Sequence, residues 1–210
     1  MFKRHPFLRA LLIFLSIWIL AIITLLILYF AWLREWQMTW GATKAEVIRY
    51  MAGDELLMNP AFNATRAVEI KAPPEQVWPW LVQMGYKRAG LYSFGGLDNG
   101  GMPSVERIIP EYQDLKVGDQ ILPLLEVVEM EPNKSILWRF QKGAGGWENA
   151  TWSWGLYETN NGHTRLVSRL RQQCTYNTLF EIIHWIIMDP MEIFMMRTTL
   201  LGIKRRAESN

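Results

Sequence analysis

Cysteine is nearly absent: Cys174 is the one thiol in 210 residues. An internal disulfide is excluded, and a single thiol does not identify a compartment. Histidine is almost as scarce. His5, His163 and His184 lie far apart in the chain and show no metal-ligand spacing, so no metal site is expected. An excess of one charge is missing too. Lys and Arg number 22 against 20 Asp and Glu, and a net charge of +2 is too small to favour nucleic acid. There is no GxSxG and no histidine motif around Cys174, so nucleophilic catalysis finds no support.

What the chain has is apolar. Hydrophobic residues make up 50% and charged residues 20%, which excludes a disordered protein. Eleven Trp are present. Trp is hard to bury unless its N–H finds a partner, so it often lines pockets or sits at membrane interfaces.

Residues 1–10 form a basic tail, with Lys3, Arg4 and Arg9. The run Leu11–Leu33 then carries no charge. At about 1.5 Å per residue it spans roughly 34 Å, enough for a hydrocarbon core of about 30 Å. A cleaved signal peptide needs a shorter apolar core and a small-residue site, and "REWQMTW" offers none. The run is therefore expected to be a transmembrane helix. Tyr29, Trp32, Trp36 and Trp40 gather at its exit as an aromatic belt would. Basic residues are denser on the short tail than after the span, which favours the tail inside and the domain outside the cytoplasm.

Residues 34–64 read as a connector. Within it "TKAEVIRYM" is expected to form a short helix, with Thr43 as N-cap and Glu46 as its capping-box partner. Residues 65–210 read as one domain. "TRAVEIKAPP" alternates as a strand. "PEQVWPWLVQM" puts Val77, Trp80, Leu81 and Met84 on one helical face. A short "SVERII" helix is expected to pair Glu106 with Arg107 at the surface. From about residue 118, strands alternate with turns, as in an antiparallel meander with one face buried. In the last, Leu166, Ser168 and Leu170 share a face opposite Arg165, Val167, Arg169 and Arg171. Two helical segments follow, separated by Asp189-Pro190, and the acids and Arg197 argue against a second span. The sum is α+β: a curved antiparallel sheet around a long C-terminal helix, able to enclose a cavity.

Several stretches carry a family resemblance: "WGAT", "GDEL", "TRAVEIKAPPEQVWPWLVQMG", "GLYSF", "DNGGMPSVERIIPEYQDLKVGD" and "LLGIKRRAE". From about Trp40 onward the chain resembles the SRPBCC superfamily, also called START-like or helix-grip proteins. The resemblance implies a deep apolar cavity between sheet and helix that binds hydrophobic small molecules. Some members act as cyclases or lipid-transfer modules. In the related pattern the loop after "YS" often carries an acid and a bulky residue, where this chain has Phe94-Gly95-Gly96. That departure counts against acid–base chemistry in the loop and leaves its glycines free to move over an apolar mouth.

The glycines of "GYKRAGLYSFGGLDNGG" do not match the spacing of a phosphate loop. The expected ligand-binding residues are Tyr92, Phe94 and Asp98 near the mouth, and Trp138, Phe140, Trp152 and Trp154 on the strands. A packed core is the plain alternative for each Trp. Asp98 and His184 are the candidates for catalysis, although His184 in an apolar helix is more simply structural. The reading is a membrane-anchored domain that binds a hydrophobic or amphipathic, lipid-like molecule without chemistry. No cofactor is expected; the partners are that molecule and the membrane, through residues 11–33. Two alternatives stand beside it: a cyclase or hydrolase-type enzyme using Asp98, Tyr92 or His184, and a membrane-tethered interaction or structural protein.

Overall fold

The computed structural model describes residues 6–141, 143, 149–173 and 179–209, without the side chains of Leu97, Phe180, Glu181, Ile182, His184 and Trp185. It divides into two units, Met1–Gln37 and Met38–Asn210.

The first unit is helical. Helix α1 (Pro6–Leu28) passes through a π-helical turn at Tyr29–Leu33 into α2 (Arg34–Met38). Helix extends beyond the charge-free run at both ends, because Arg9 and Arg34 are good helix formers. The hydroxyls of Ser16 and Thr24 donate to the carbonyls of Leu12 and Leu20, each at 2.8 Å, so neither needs water. This helix is long and apolar enough to cross a membrane.

The second unit is α+β. Its six strands are β1 (Phe62–Ile70), β2 (Gln120–Leu122), β3 (Leu125–Glu131), β4 (Ser135–Phe140), β5 (Ala150–Glu158) and β6 (Thr164–Gln172). They make one antiparallel, curved sheet in the order β1-β6-β5-β4-β3-β2. Strands β2 to β6 are the expected meander, and β1 closes on β6 with Arg66 opposite Ser168. Helices α3 (Lys44–Ile48), α4 (Pro74–Val82) and α5 (Gly95–Asp98) precede the meander, and α6 (Leu179–Glu208) ends the fold. The expected "SVERII" helix does not form. Glu106 pairs with Arg205 and Arg206 of α6 instead of Arg107.

Helix α6 is continuous, with Pro190 inside it, where the sequence pattern called for two segments. A proline within a helix costs about 3 kcal/mol. Ile193, Met196, Leu200 and Ile203 are each at most 5% exposed, and burying each is worth roughly 1.5–3 kcal/mol. Packing wins over the lost backbone bond.

Along β1, β5 and β6 the sheet is buried on both faces, not one, while β3 keeps the expected alternation. In β5 the first seven residues are all buried. The inner face meets α6. The outer face is covered by residues that the sequence suggests as a connector. Their helix α3 has the expected capping box, with Thr43 and Glu46 bonding reciprocally. Arg169, which alternation places among polar outward residues, is 3% exposed. Its guanidinium donates to Thr65 Oγ1 (2.9 Å) on β1 and to the carbonyls of Glu46, Val47 and Arg49 (2.8–2.9 Å). It also pairs with Asp54 at 2.5 Å. One side chain thus caps the end of α3 and ties the segment to the sheet. Arg165 adds a bidentate contact to Glu46, both bonds 2.9 Å. Removing Arg169 takes this donor from three carbonyls and leaves the half-buried Asp54 to Arg171 and the Met51 N–H alone. Arg169→Ala is expected to lower the unfolding free energy by about 3–5 kcal/mol, read by denaturant titration of the full chain in detergent.

Candidate functional site

Strand alternation puts Trp138, Trp152 and Trp154 together on the inner face. Trp138 lies opposite Trp152 across β4 and β5. Their ring centroids are 5.1 Å apart at 84°, and Trp154 stands 5.7 Å from Trp138 at 62°. These edge-to-face contacts let three large rings pack closely. Trp138 and Trp154 are fully buried and belong to the core. Trp152 alone of the three reaches open space. Its Nε1 donates to Ser168 Oγ at 2.8 Å, and that hydroxyl points on to Met196 Sδ at 3.6 Å.

The open space is a cavity of about 270 Å³ between the sheet and α6. Phe140, Trp152, Leu122 and Leu170 form its sheet side. Met188, Met191, Met195 and Met196 form its helix side. Unbranched, polarisable thioethers make an adaptable wall, suited to ligands of varied shape. The volume lies just below the range of small-molecule sites, about 300–1,000 Å³.

One charged group stands in this apolar lining. Glu192 of α6 is 11% exposed, and its Oε2 pairs with Arg66 Nη1 of β1, which is 1% exposed. Its Oε1 has no hydrogen-bond partner among the described residues. Burial pushes the Glu192 carboxyl up from its ordinary range; Arg66 pulls it back only in part, and Asp189 adds to the rise. Thr199 and Ser93 bring the other side-chain hydroxyls on the lining.

The loop residues lie elsewhere. Tyr92 is 2% exposed and acts as a pin: its hydroxyl donates to Trp80 O at 2.9 Å and accepts from Gln83 Nε2 at 3.0 Å. Burial raises its phenol well above the usual range, with Gln83 opposing. Asp98 accepts from Ser93 Oγ. Phe94 is 44% exposed and lines neither this cavity nor the next. The glycine loop is held at its neck. Asn99 accepts from Lys87 N at 2.9 Å and donates to Met102 O at 3.1 Å, and Gly101 N reaches Gly95 O at 3.0 Å. A second pocket, about 650 Å³, lies between this loop and the end of α6, with Ser93 common to both. There Arg206 stacks 4.5 Å over Tyr92 and shares Glu106 with Arg205.

Of the expected residues, the fold therefore brings Phe140 and Trp152 to the apolar cavity and Tyr92 to its neighbour. Trp138, Trp154, Phe94 and Asp98 line neither. The side chain of His184 and all of Cys174 lie outside the described residues. Glu192 escaped the sequence reading. The available signal was its spacing, since Met188, Glu192, Met195, Met196 and Thr199 fall on one helical face. No group of three or more His, Cys, Asp or Glu suited to a metal ion occurs among the described residues.

No family model matches the chain, and no curated protein does. Among solved structures it is similar to the Aha1 dimer from Colwellia psychrerythraea, at 18% identity over 70% of this chain and 96% of that one, TM-score 0.39. It is similar to the Polyketide_cyc-like protein Cgl2372 from Corynebacterium glutamicum, at 18% identity over 70% and 92%, TM-score 0.40. It is also similar to the di-domain ARO/CYC BexL from the BE-7585A biosynthetic pathway, at 17% identity over 74% of this chain and 53% of that one, TM-score 0.44.

Tyr92 sits at φ 58°, a left-handed conformation unusual for a bulky residue. It stays there because α6 lacks a side chain beneath it. A Cβ at Gly202 would stand 2.5 Å from Tyr92 O and 2.8 Å from Tyr92 Cβ. Gly202→Ala is expected to destabilise the domain by about 1–3 kcal/mol, read as a lowered denaturation midpoint.

Proposed function

We propose that this protein is a membrane-anchored binder of a hydrophobic or amphipathic small molecule, held in the cavity between α6 and the sheet without a chemical step. The observation that carries the reading is the cavity itself. It is enclosed by Phe140, Trp152, Leu170 and four methionines, with one charged side chain in the wall. Apolar ligands gain roughly 25 cal/mol for each Å² they remove from water, and this lining gives little else to bind with. The apolar helix Pro6–Met38 supports the anchor by length and composition. A tether at this point holds the domain near lipid, the natural source of such ligands. The denser basic residues of residues 1–10 favour a domain outside the cytoplasm.

A cyclase or hydrolase-type reaction on a hydrophobic substrate is the second reading. It draws on Glu192, an acid raised by burial inside an apolar cavity, the setting of many general acids. Its requirement is turnover that Glu192→Gln abolishes while binding persists.

Two measurements bear on the first reading. Native mass spectrometry of the full chain is expected to show a co-purifying apolar molecule, and Met195→Trp, which fills the cavity, is expected to remove it. Retention of that molecule by a folded Met195→Trp chain would contradict the reading. A C-terminal alkaline phosphatase fusion is expected to be active, since that enzyme works only outside the cytoplasm; an inactive fusion beside an active cytoplasmic reporter reverses the orientation.

A further inference from the structure

We infer that the second pocket, between the glycine loop and the end of α6, binds a phosphate group, carried by a small solute or by a lipid headgroup. This pocket of about 650 Å³ shares only Ser93 with the apolar cavity, and the inference does not rest on that cavity being a ligand site. Among the described residues, the charged side chains on its lining are Glu106, Arg205 and Arg206. Both guanidiniums donate to the same oxygen, Glu106 Oε1, each at 2.7 Å. Two cations thus share one carboxylate, and the lining keeps a positive charge over. Arg205 gives one N–H to that bond, and its remaining N–H groups have no partner among the described residues. Ser104 Oγ accepts from Tyr92 N at 3.0 Å, which leaves its own proton to donate. A phosphate has three oxygens to set against Arg205, Arg206 and Ser104, where a carboxylate has two.

The scaffold around these groups is set before any ligand arrives. Arg206 is 5% exposed and is held by Val105 O (2.8 Å), Gly202 O (3.0 Å) and the face of Tyr92. A guanidinium fixed on so many sides loses little freedom when it meets an anion. Tyr92 beside it keeps a left-handed backbone, and strain of that kind gathers at sites that hold ligands. Across the pocket, Gly96 lies inside α5, where glycine is a poor helix former. A Cβ added at Gly96 or Gly101 would meet nothing within 4 Å. The loop therefore stands clear of the arginines and leaves the room a ligand needs.

The test uses the full chain, 15N-labelled at glycine, in nanodiscs of zwitterionic lipid. Inorganic phosphate is titrated in while sodium chloride holds the ionic strength constant. The amides of Gly96, Gly101 and Gly202 are expected to shift saturably, while those of Gly118 and Gly162, in turns outside the pocket, hold still. Arg205 is 63% exposed and its described contact is Glu106, so Arg205→Gln leaves the fold alone; it is expected to weaken binding about fivefold. Glu106→Gln still accepts from both guanidiniums but removes the competing charge, and is expected to strengthen binding. Gly96→Leu fills the pocket without left-handed strain and is expected to abolish the shifts at Gly101 and Gly202. Nanodiscs containing phosphatidic acid separate the two sources. Glycine signals already shifted before phosphate is added support the site and assign it to a headgroup; signals that wait for free phosphate support the site and assign it to a solute. Pocket amides that do not move in either lipid, or that move no more than Gly118 and Gly162, would overturn the inference. So would Arg205→Gln and Glu106→Gln changing the affinity in the same direction, or leaving it unchanged. None of these results bears on the apolar cavity, whose ligand is read by the mass spectrometry above.

Discussion

A buried ion pair joins the two halves of the grip. Arg66 on the edge strand β1 and Glu192 on α6 meet across the space that the sheet encloses. Taking two charges out of water is expensive, and apolar residues of similar volume would often serve stability as well. The pair is therefore poorly explained as a device for stability alone. Its position explains more. It sits where the inner face stops being filled by Trp138 and Trp154 and starts to be open, beside Trp152 and the four methionines. On the sheet Trp138 meets Trp152 and Trp154 edge to face, and farther along α6 the helix is hooked to the end of β1. That hook is made by Lys204 Nζ on Glu69 O at 2.6 Å and by Glu208 accepting from Lys71 N at 2.7 Å. On the proposed reading, a charged group in an apolar wall lets the site distinguish among ligands of similar greasiness by their polar ends.

The outer face follows a parallel logic. There Arg169 and Arg165 fasten residues 41–54 over the sheet through carbonyls and two acids. The inner face is thereby left as the one that faces α6, and the sheet keeps its curvature with both faces covered. Both faces rely on arginine, because its planar fork can satisfy several acceptors at once.

Much of this was legible in the chain. The long uncharged run, the Thr43–Glu46 cap, the alternation of Trp152 with Trp154 and of Leu166 with Leu170 all depend on local spacing, which sequence displays directly. The misses share a different cause. Arg169 alternates onto the face that looks solvent-exposed, and only tertiary contact with a segment over a hundred residues earlier reveals its burial. Pro190 reads as a helix break because the packing that overrides it is not local. The glycine loop reads as free because the side chain that pins it, Asn99, has no marked signal of its own. Glu192 looked like a charge arguing against membrane insertion; that it faces inward depends on where α6 lies against β1. The three indoles read as walls, yet all three belong to the packed core and Trp152 alone also lines the cavity, because whether rings pack or leave space is decided by their mutual angles.

The central claim is that the space between α6 and the sheet is a ligand site and not a packing defect. Methionine methyl NMR tests it most directly, since Met188, Met191, Met195 and Met196 line that space while Met51 and Met84 are buried and do not line it. With the chain in nanodiscs and n-octanol added to saturation, the four cavity methyl signals are expected to shift while those of Met51 and Met84 hold still. Signals that do not move, or that all move together, would contradict the account.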